Sequence, residues 1–146
     1  MNILKNLKTK IVNKPWGREI WFAYTNGYLG KILEISRDQQ VSMHKHEIKE
    51  ETLRLVSGVV LVYELAPNGE DSLFATLMPG DSLHIKPGEP HSFRALSDAV
   101  FFEVSTPFPE DSIRLKDYYD RPVFSTFDHL DDTADSVGKK DAGESR

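Results

Sequence analysis

Three histidines and a carboxylate stand at spacings that would let a single metal ion hold them all. His44 and His46 are two residues apart, so on a strand both imidazoles point to the same face. Glu51, with Glu50 as the alternative, adds a carboxylate. The turn Pro87-Gly88-Glu89-Pro90 is placed to deliver His91 from a distant strand. Three nitrogens and one oxygen suit Zn, Mn, Fe, Co or Ni, and they leave room for a substrate in five- or six-coordinate geometry. A bare His-x-His describes any solvent-facing strand with alternating histidines. Here the reading rests on the longer joint pattern, in which Glu51, Gly58 and Pro-Gly-x-x-His91 follow in order.

The elements that must position these groups are short. Residues 19–24, 30–36, 53–65, 73–78, 82–86, 91–95 and 100–105 are apolar or alternating runs bounded by turn residues, and each reads as strand. Ser57-Gly58 divides the longest run into two strands or marks a bulge. Pro67-Asn68-Gly69-Glu70-Asp71 is a hairpin turn. Many short strands with regular turns imply a sandwich or barrel. Residues 111–119 are compatible with either a helix or an extended arm.

At 146 residues the chain is long enough for one domain that buries about two-thirds of its unfolded surface. Its 18 Lys and Arg against 23 Asp and Glu give a net charge of −5 with no basic run, so a nucleic-acid partner is not expected. Residues 128–146 carry six acids and three bases and almost no apolar residues. This acidic tail is expected to be disordered, with the folded domain and its N-terminal arm spanning 1–127. There is no cysteine, which excludes disulfides and thiolate ligands. Residues 1–14 are basic without a continuous apolar core, so no leader or membrane span is expected and the cytoplasm is the expected compartment.

His44-x-His46, Glu51 separated by six residues from Gly58, and Pro87-Gly88-x-x-His91 together resemble the paired motifs of the cupin superfamily, and that spacing favours Glu51 over Glu50. The resemblance extends over most of residues 13–121. Lys14-Pro15-Trp16-Gly17 and the run Asp111-Ser112-Ile113-Arg114-Leu115-Lys116-Asp117-Tyr118-Tyr119-Asp120-Arg121 are similar to the small type II mannose-6-phosphate isomerase-like cupins. It implies an all-β, double-stranded β-helix (jelly-roll) barrel, a divalent metal held by His44, His46, Glu51 and His91, a homodimer, and a carbohydrate or sugar phosphate as substrate. Three departures stand out. Four residues, 47–50, separate His46 from Glu51 where those isomerase domains usually have fewer; Lys86 replaces a frequent Pro; and no Asn follows His91.

Isomerisation of an aldose to a ketose moves a proton between C1 and C2 through an enediol, which needs a Lewis acid and a base. The candidate bases are Glu50, His84 and Lys31. His84 alternates with Leu83 and Ile85, and it lines the cavity if that apolar pair packs outward. Trp16, Arg18, Lys86 and Arg94 are candidate substrate contacts, although Arg94 is out of phase with an inward His91 and Phe93. Two other functions fit the same ligand set: a non-catalytic sugar-binding or regulatory cupin, and an iron-dependent dioxygenase. The charged segment Lys45, Glu47, Lys49, Glu50 favours sugar chemistry over an apolar oxygen pocket.

Overall fold

Apolar residues at every second position make this chain a sequence of strands. The structure is a computed structural model that describes residues 1–3, 5, 10–121 and 123. Eleven strands form among them: β1 (Lys10–Lys14), β2 (Gly17–Tyr24), β3 (Leu29–Ile35), β4 (Met43–Lys45), β5 (Glu51–Ser57), β6 (Val60–Leu65), β7 (Asp71–Leu77), β8 (Ser82–Ile85), β9 (Ser92–Ala95), β10 (Ala99–Ser105) and β11 (Ile113–Lys116). No helix occurs in the described residues. The acidic stretch 128–146 lies outside them.

All pairings are antiparallel. One sheet has the order β1-β2-β3-β10-β5-β8, a second β7-β6-β9, and a third joins β11 to β4. The inner faces of the first two sheets share one core, in which Leu33, Ile35, Leu55, Val60, Val62, Phe93, Ala95 and Phe101 are buried together. Each of the seven runs expected from the sequence is a strand, with ends shifted by a residue or two. The long run 53–65 is two strands, because Gly58 takes a φ of +90° and an added Cβ there would lie 2.4 Å from the Asp98 carbonyl oxygen. The turn at 67–71 closes the β6–β7 hairpin with Leu65 opposite Asp71. The ambiguous segment 111–119 is extended: β11 pairs with β4, setting Arg114 opposite His44. With only two apolar residues in five, β1 carried no strand signal, yet it pairs along its whole length with β2.

The inward stripe changes character along the strands. On β3 it runs Ile35, Leu33, Lys31; on β10 Ala99, Phe101, Glu103; on β5 Leu55, Leu53, Glu51, and all of these are buried. Register aligns the change across strands, with Phe101 opposite Leu33 and Leu55, and Glu103 opposite Lys31. One end of the interior is therefore apolar and the other charged. Charges at such depth are tolerated only when they are paired.

Candidate metal centre and its cavity

The charged end is where the histidines meet. His44 lies on β4, His46 just beyond it, and His91 just before β9. The backbones of His44 and His91 are locked in both directions: His44 N donates to the His91 carbonyl at 3.1 Å and His91 N to the His44 carbonyl at 2.9 Å. Gly88 N also donates to the His46 carbonyl at 2.6 Å, so the Pro-Gly turn is tied to the first motif.

Each ring is oriented by a backbone carbonyl. Nδ1 of His44 contacts the Ser42 carbonyl oxygen at 2.8 Å, Nδ1 of His91 contacts that of Glu89 at 2.9 Å, and Nδ1 of His46 contacts that of Asp111. A carbonyl can only accept, so the hydrogen-bond network assigns the proton to Nδ1 in all three rings and leaves Nε2 with its lone pair. The ligand atoms of the three rings lie within 4.8 Å of one another, and Nε2 of His46 and of His91 is buried without a hydrogen-bond partner. Oε1 of Glu51 lies 3.1 Å from His91 Nε2 and 3.5 Å from His46 Nε2. Carboxylate oxygen facing bare nitrogen is repulsive unless a cation stands between them. Burial, together with His91 and His46 as neighbours, holds the His44 pKa well below 6.5, so that ring is neutral near pH 7. Three imidazoles and a carboxylate so disposed fit a divalent metal ion.

Lys49 backs the site from the loop 47–50. Its ammonium lies 2.7 Å from Glu51 Oε2 and 3.2 Å from Glu103 Oε2, with all three side chains buried. Burial disfavours the ammonium, but Glu103 and Glu51 outweigh it and raise the Lys49 pKa above 10.5. The two carboxyls respond in opposite ways. Burial would raise Glu51, but the Lys49 ammonium outweighs it and brings the carboxyl well below the ordinary carboxylate range. For Glu103, burial outweighs the pull of Lys49, Glu51 adds to the rise, and its pKa ends above 4.5. Glu103 Oε2 lies off any hydrogen-bonding direction, including that of Lys49. Farther in, Lys31 Nζ lies 3.2 Å from Glu19 Oε2 and 4.5 Å from the Trp21 ring centre, and Trp21 Nε1 donates to Glu19 at 2.9 Å.

Most of these groups line one small cavity of about 60 Å³ that opens to solvent. Of the residues expected from the sequence, Trp16, Lys31, His44, His46 and Glu51 line it, and His91 stands against His44. Glu50 and His84 do not. Leu83 and Ile85 pack inward, so His84 faces out, exposed, with Nε2 2.7 Å from Glu50 Oε1. Arg18 is on the outer surface, paired with Glu34 at 2.6 Å, and Lys86 and Arg94 are exposed away from this cavity. Reading by sequence did not assign Glu19, Lys49, Glu103 or Asp111 to the site. For Glu103 the signal was present, since it falls in phase with Phe101 on the inward stripe. Lys49 sits in a loop, where no periodicity applies.

No family model matches the chain, and no curated protein matches it. Solved structures do. KdgF from Halomonas sp. aligns over 73% of this chain and 94% of its own length at 20% identity, with a TM-score of 0.60. An RmlC-like cupin from Shewanella frigidimarina aligns over 73% of this chain and 91% of its own at 15% identity, TM-score 0.60. The fold is that of the cupins. A third match is the capsular polysaccharide assembling protein CapF from Staphylococcus aureus. It aligns over 75% of this chain but 34% of its own length, at 17% identity and TM-score 0.62. The double-stranded β-helix expected from the paired motifs is thus the architecture of this chain, and its three histidines lie close enough to share one metal ion. No described helix is long and apolar enough to cross a membrane.

Proposed function

We propose that this cupin is a metal-dependent enzyme acting on a sugar or sugar phosphate, by aldose–ketose isomerisation through an enediol. The observation that carries the proposal is the convergence of His44, His46, His91 and Glu51 beside a cavity whose wall carries Glu19, Lys31, Lys49 and Glu103 among its apolar residues. Oxygen chemistry favours an apolar pocket; Glu19, Lys31, Lys49 and Glu103 make this one polar and suited to a polyhydroxylated ligand. The structural likeness to a capsular polysaccharide assembling protein points the same way.

A divalent ion (Zn, Mn, Fe, Co or Ni) held by His44, His46, Glu51 and His91 supplies Lewis-acid polarisation of the sugar carbonyl when bound. The rest falls to the chain. Glu103 is the base in this reading: unlike Glu50 and His84 it lies inside the cavity, unlike Lys31 it is a carboxylate, and its pKa is raised by burial. The C2–H bond breaks, its proton goes to the Glu103 carboxylate, the electron pair becomes the C1–C2 double bond, and the C1–O1 π pair moves onto O1. Glu103 then returns the proton to C1 while the hydroxyl proton passes from O2 to O1. Lys49, clamped between Glu51 and Glu103, keeps the base beside the ligand carboxylate without mutual repulsion. Trp16 offers an aromatic face to the sugar, and an anionic group on the substrate would meet Lys14, Arg114 and Arg121 on the cavity wall. A homodimer and a cytoplasmic location belong to the same reading. The exposed Phe102 and Val104 on the outer face of β10 offer apolar area to a second copy.

The test is proton NMR in deuterated water, with protein loaded in turn with Zn, Mn and Fe(II) and given a panel of aldose and ketose phosphates and free sugars. Chelator-sensitive deuterium entry at C1 or C2, lost in Glu103→Gln, is the expected result. No exchange across the panel with metal bound would replace this reading with a non-catalytic sugar-binding cupin.

A further inference from the structure

The four residues between His46 and Glu51 are a departure from the resembled pattern, and one side chain holds them. Oδ1 of Asp111 accepts the backbone N–H of Glu47 at 3.1 Å, and Oδ2 accepts those of Ile48 at 2.5 Å and Lys49 at 2.8 Å. Three consecutive N–H groups turned onto one carboxylate form a nest, with Asp111 as its anion. The same residue's carbonyl oxygen accepts Nδ1–H of His46. Neighbouring residues extend the grip. Thr106 Oγ1 accepts Glu50 N at 3.0 Å, Thr106 N donates to the Glu50 carbonyl at 3.0 Å, and β11 pairs Ile113 and Arg114 with Lys45 and His44.

We propose that Asp111 is a positioning residue that couples docking of the C-terminal arm, residues 106–119, to metal affinity; the inference rests on the metal-site reading above. Asp111 acts at two points. Its carboxylate fixes the backbone at 47–49 so that the Lys49 side chain turns inward onto Glu51 and Glu103. Its carbonyl sets the His46 tautomer that leaves Nε2 bare for the ion. Because both contacts come from one residue of the arm, an undocked arm loses the His46 tautomer lock and the Lys49 clamp together. By linkage, a bound ion must stabilise the docked arm by the same factor.

Co(II) is the probe, since its visible spectrum reports coordination. Titrated into metal-free full-length protein, it is expected to bind Asp111→Asn about 10- to 100-fold more weakly than wild type, with a changed spectrum. Gly58→Ala, which strains the fold far from the site, should keep the wild-type Co(II) affinity and spectrum. Hydrogen exchange on wild type needs no variant: the N–H groups of Glu47, Ile48 and Lys49 should exchange more slowly with Co(II) bound. Wild-type affinity and spectrum in Asp111→Asn, or unchanged exchange at 47–49 on Co(II) binding, overturns the coupling while leaving the metal site intact. If wild type takes up no Co(II), the metal-site reading fails first and the coupling falls with it.

Discussion

Replacing Lys49 with Met tests whether the charged interior holds itself together through one ammonium. Lys49 lies 2.7 Å from Glu51 and 3.2 Å from Glu103, and no side chain of the three is more than slightly exposed. With an effective dielectric of about 20, these separations correspond to roughly 6 and 5 kcal/mol of attraction, offset by a desolvation penalty of several kcal/mol per ion. Met fills a similar volume, so packing changes little, but two carboxylates are left buried without their shared cation. Breaking a buried pair in this way costs about 3–5 kcal/mol. A single domain is stable by about 5–15 kcal/mol, so the variant should be folded but marginal. The assay is urea denaturation of the metal-free proteins at pH 7. Lys49→Met/Glu103→Gln, which removes one of the stranded carboxylates, should recover part of the loss. The deficit should also shrink as pH falls. Glu103 has a raised pKa in the folded state, so protonating it relieves the repulsion at low pH, and that relief is lost as pH rises. Bound Zn should reduce the deficit by balancing Glu51. A loss below about 1 kcal/mol in the metal-free protein would refute the clamp.

Three further outcomes follow from the same geometry. His46→Ala and His91→Ala should each lose most bound metal, measured by elemental analysis after dialysis, while keeping the circular dichroism of a folded barrel; stoichiometric metal in both would refute the ligand assignment. His44 is held neutral by burial and by its neighbouring imidazoles, so its contribution to stability is present above about pH 6.5 and is lost as pH falls below that value. The melting temperature of metal-free protein should therefore decline from pH 7 to 5, and a His44→Gln variant with an undiminished slope would contradict that origin. The outward pair Glu50 and His84 should matter little. Removing either should change stability by less than about 1 kcal/mol and leave Zn affinity as in wild type, in contrast to Glu103→Gln, which should abolish isomerisation.

The clustering of the three histidines was legible from sequence because local rules dictate it: alternation puts His44 and His46 on one face, and a Pro-Gly turn aims His91. The strands were legible for the same reason, since burial imposes a period of two. What failed was the placement of His84 in the cavity, and the failure has one cause. His84 was assigned by alternation against Leu83 and Ile85, but alternation gives two faces without saying which is inside. The pairing of Leu83 with the buried Leu53 decides that, and it is a long-range fact. Glu103 could have been found by asking which charges share a phase with Phe101 and Leu33. Lys49 and Asp111 could not, because a lysine folded inward from a loop and an aspartate gripping that loop from 62 residues away leave no periodic trace.

Along β3, β5 and β10, the inward residues pass from apolar to charged toward the same end, on β5 one inward position later than on its neighbours. Folding free energy and chemistry are thereby assigned to opposite ends of the same strands. Amide exchange should be slowest around Ile35, Leu55, Val60 and Phe101, where closely packed apolar side chains must separate before the backbone can open, and faster around Glu51 and Glu103. Substitutions at the charged end can therefore change what the cavity accepts while the apolar end keeps the barrel closed. A scaffold divided in this way can take up new ligands without having to find its fold again.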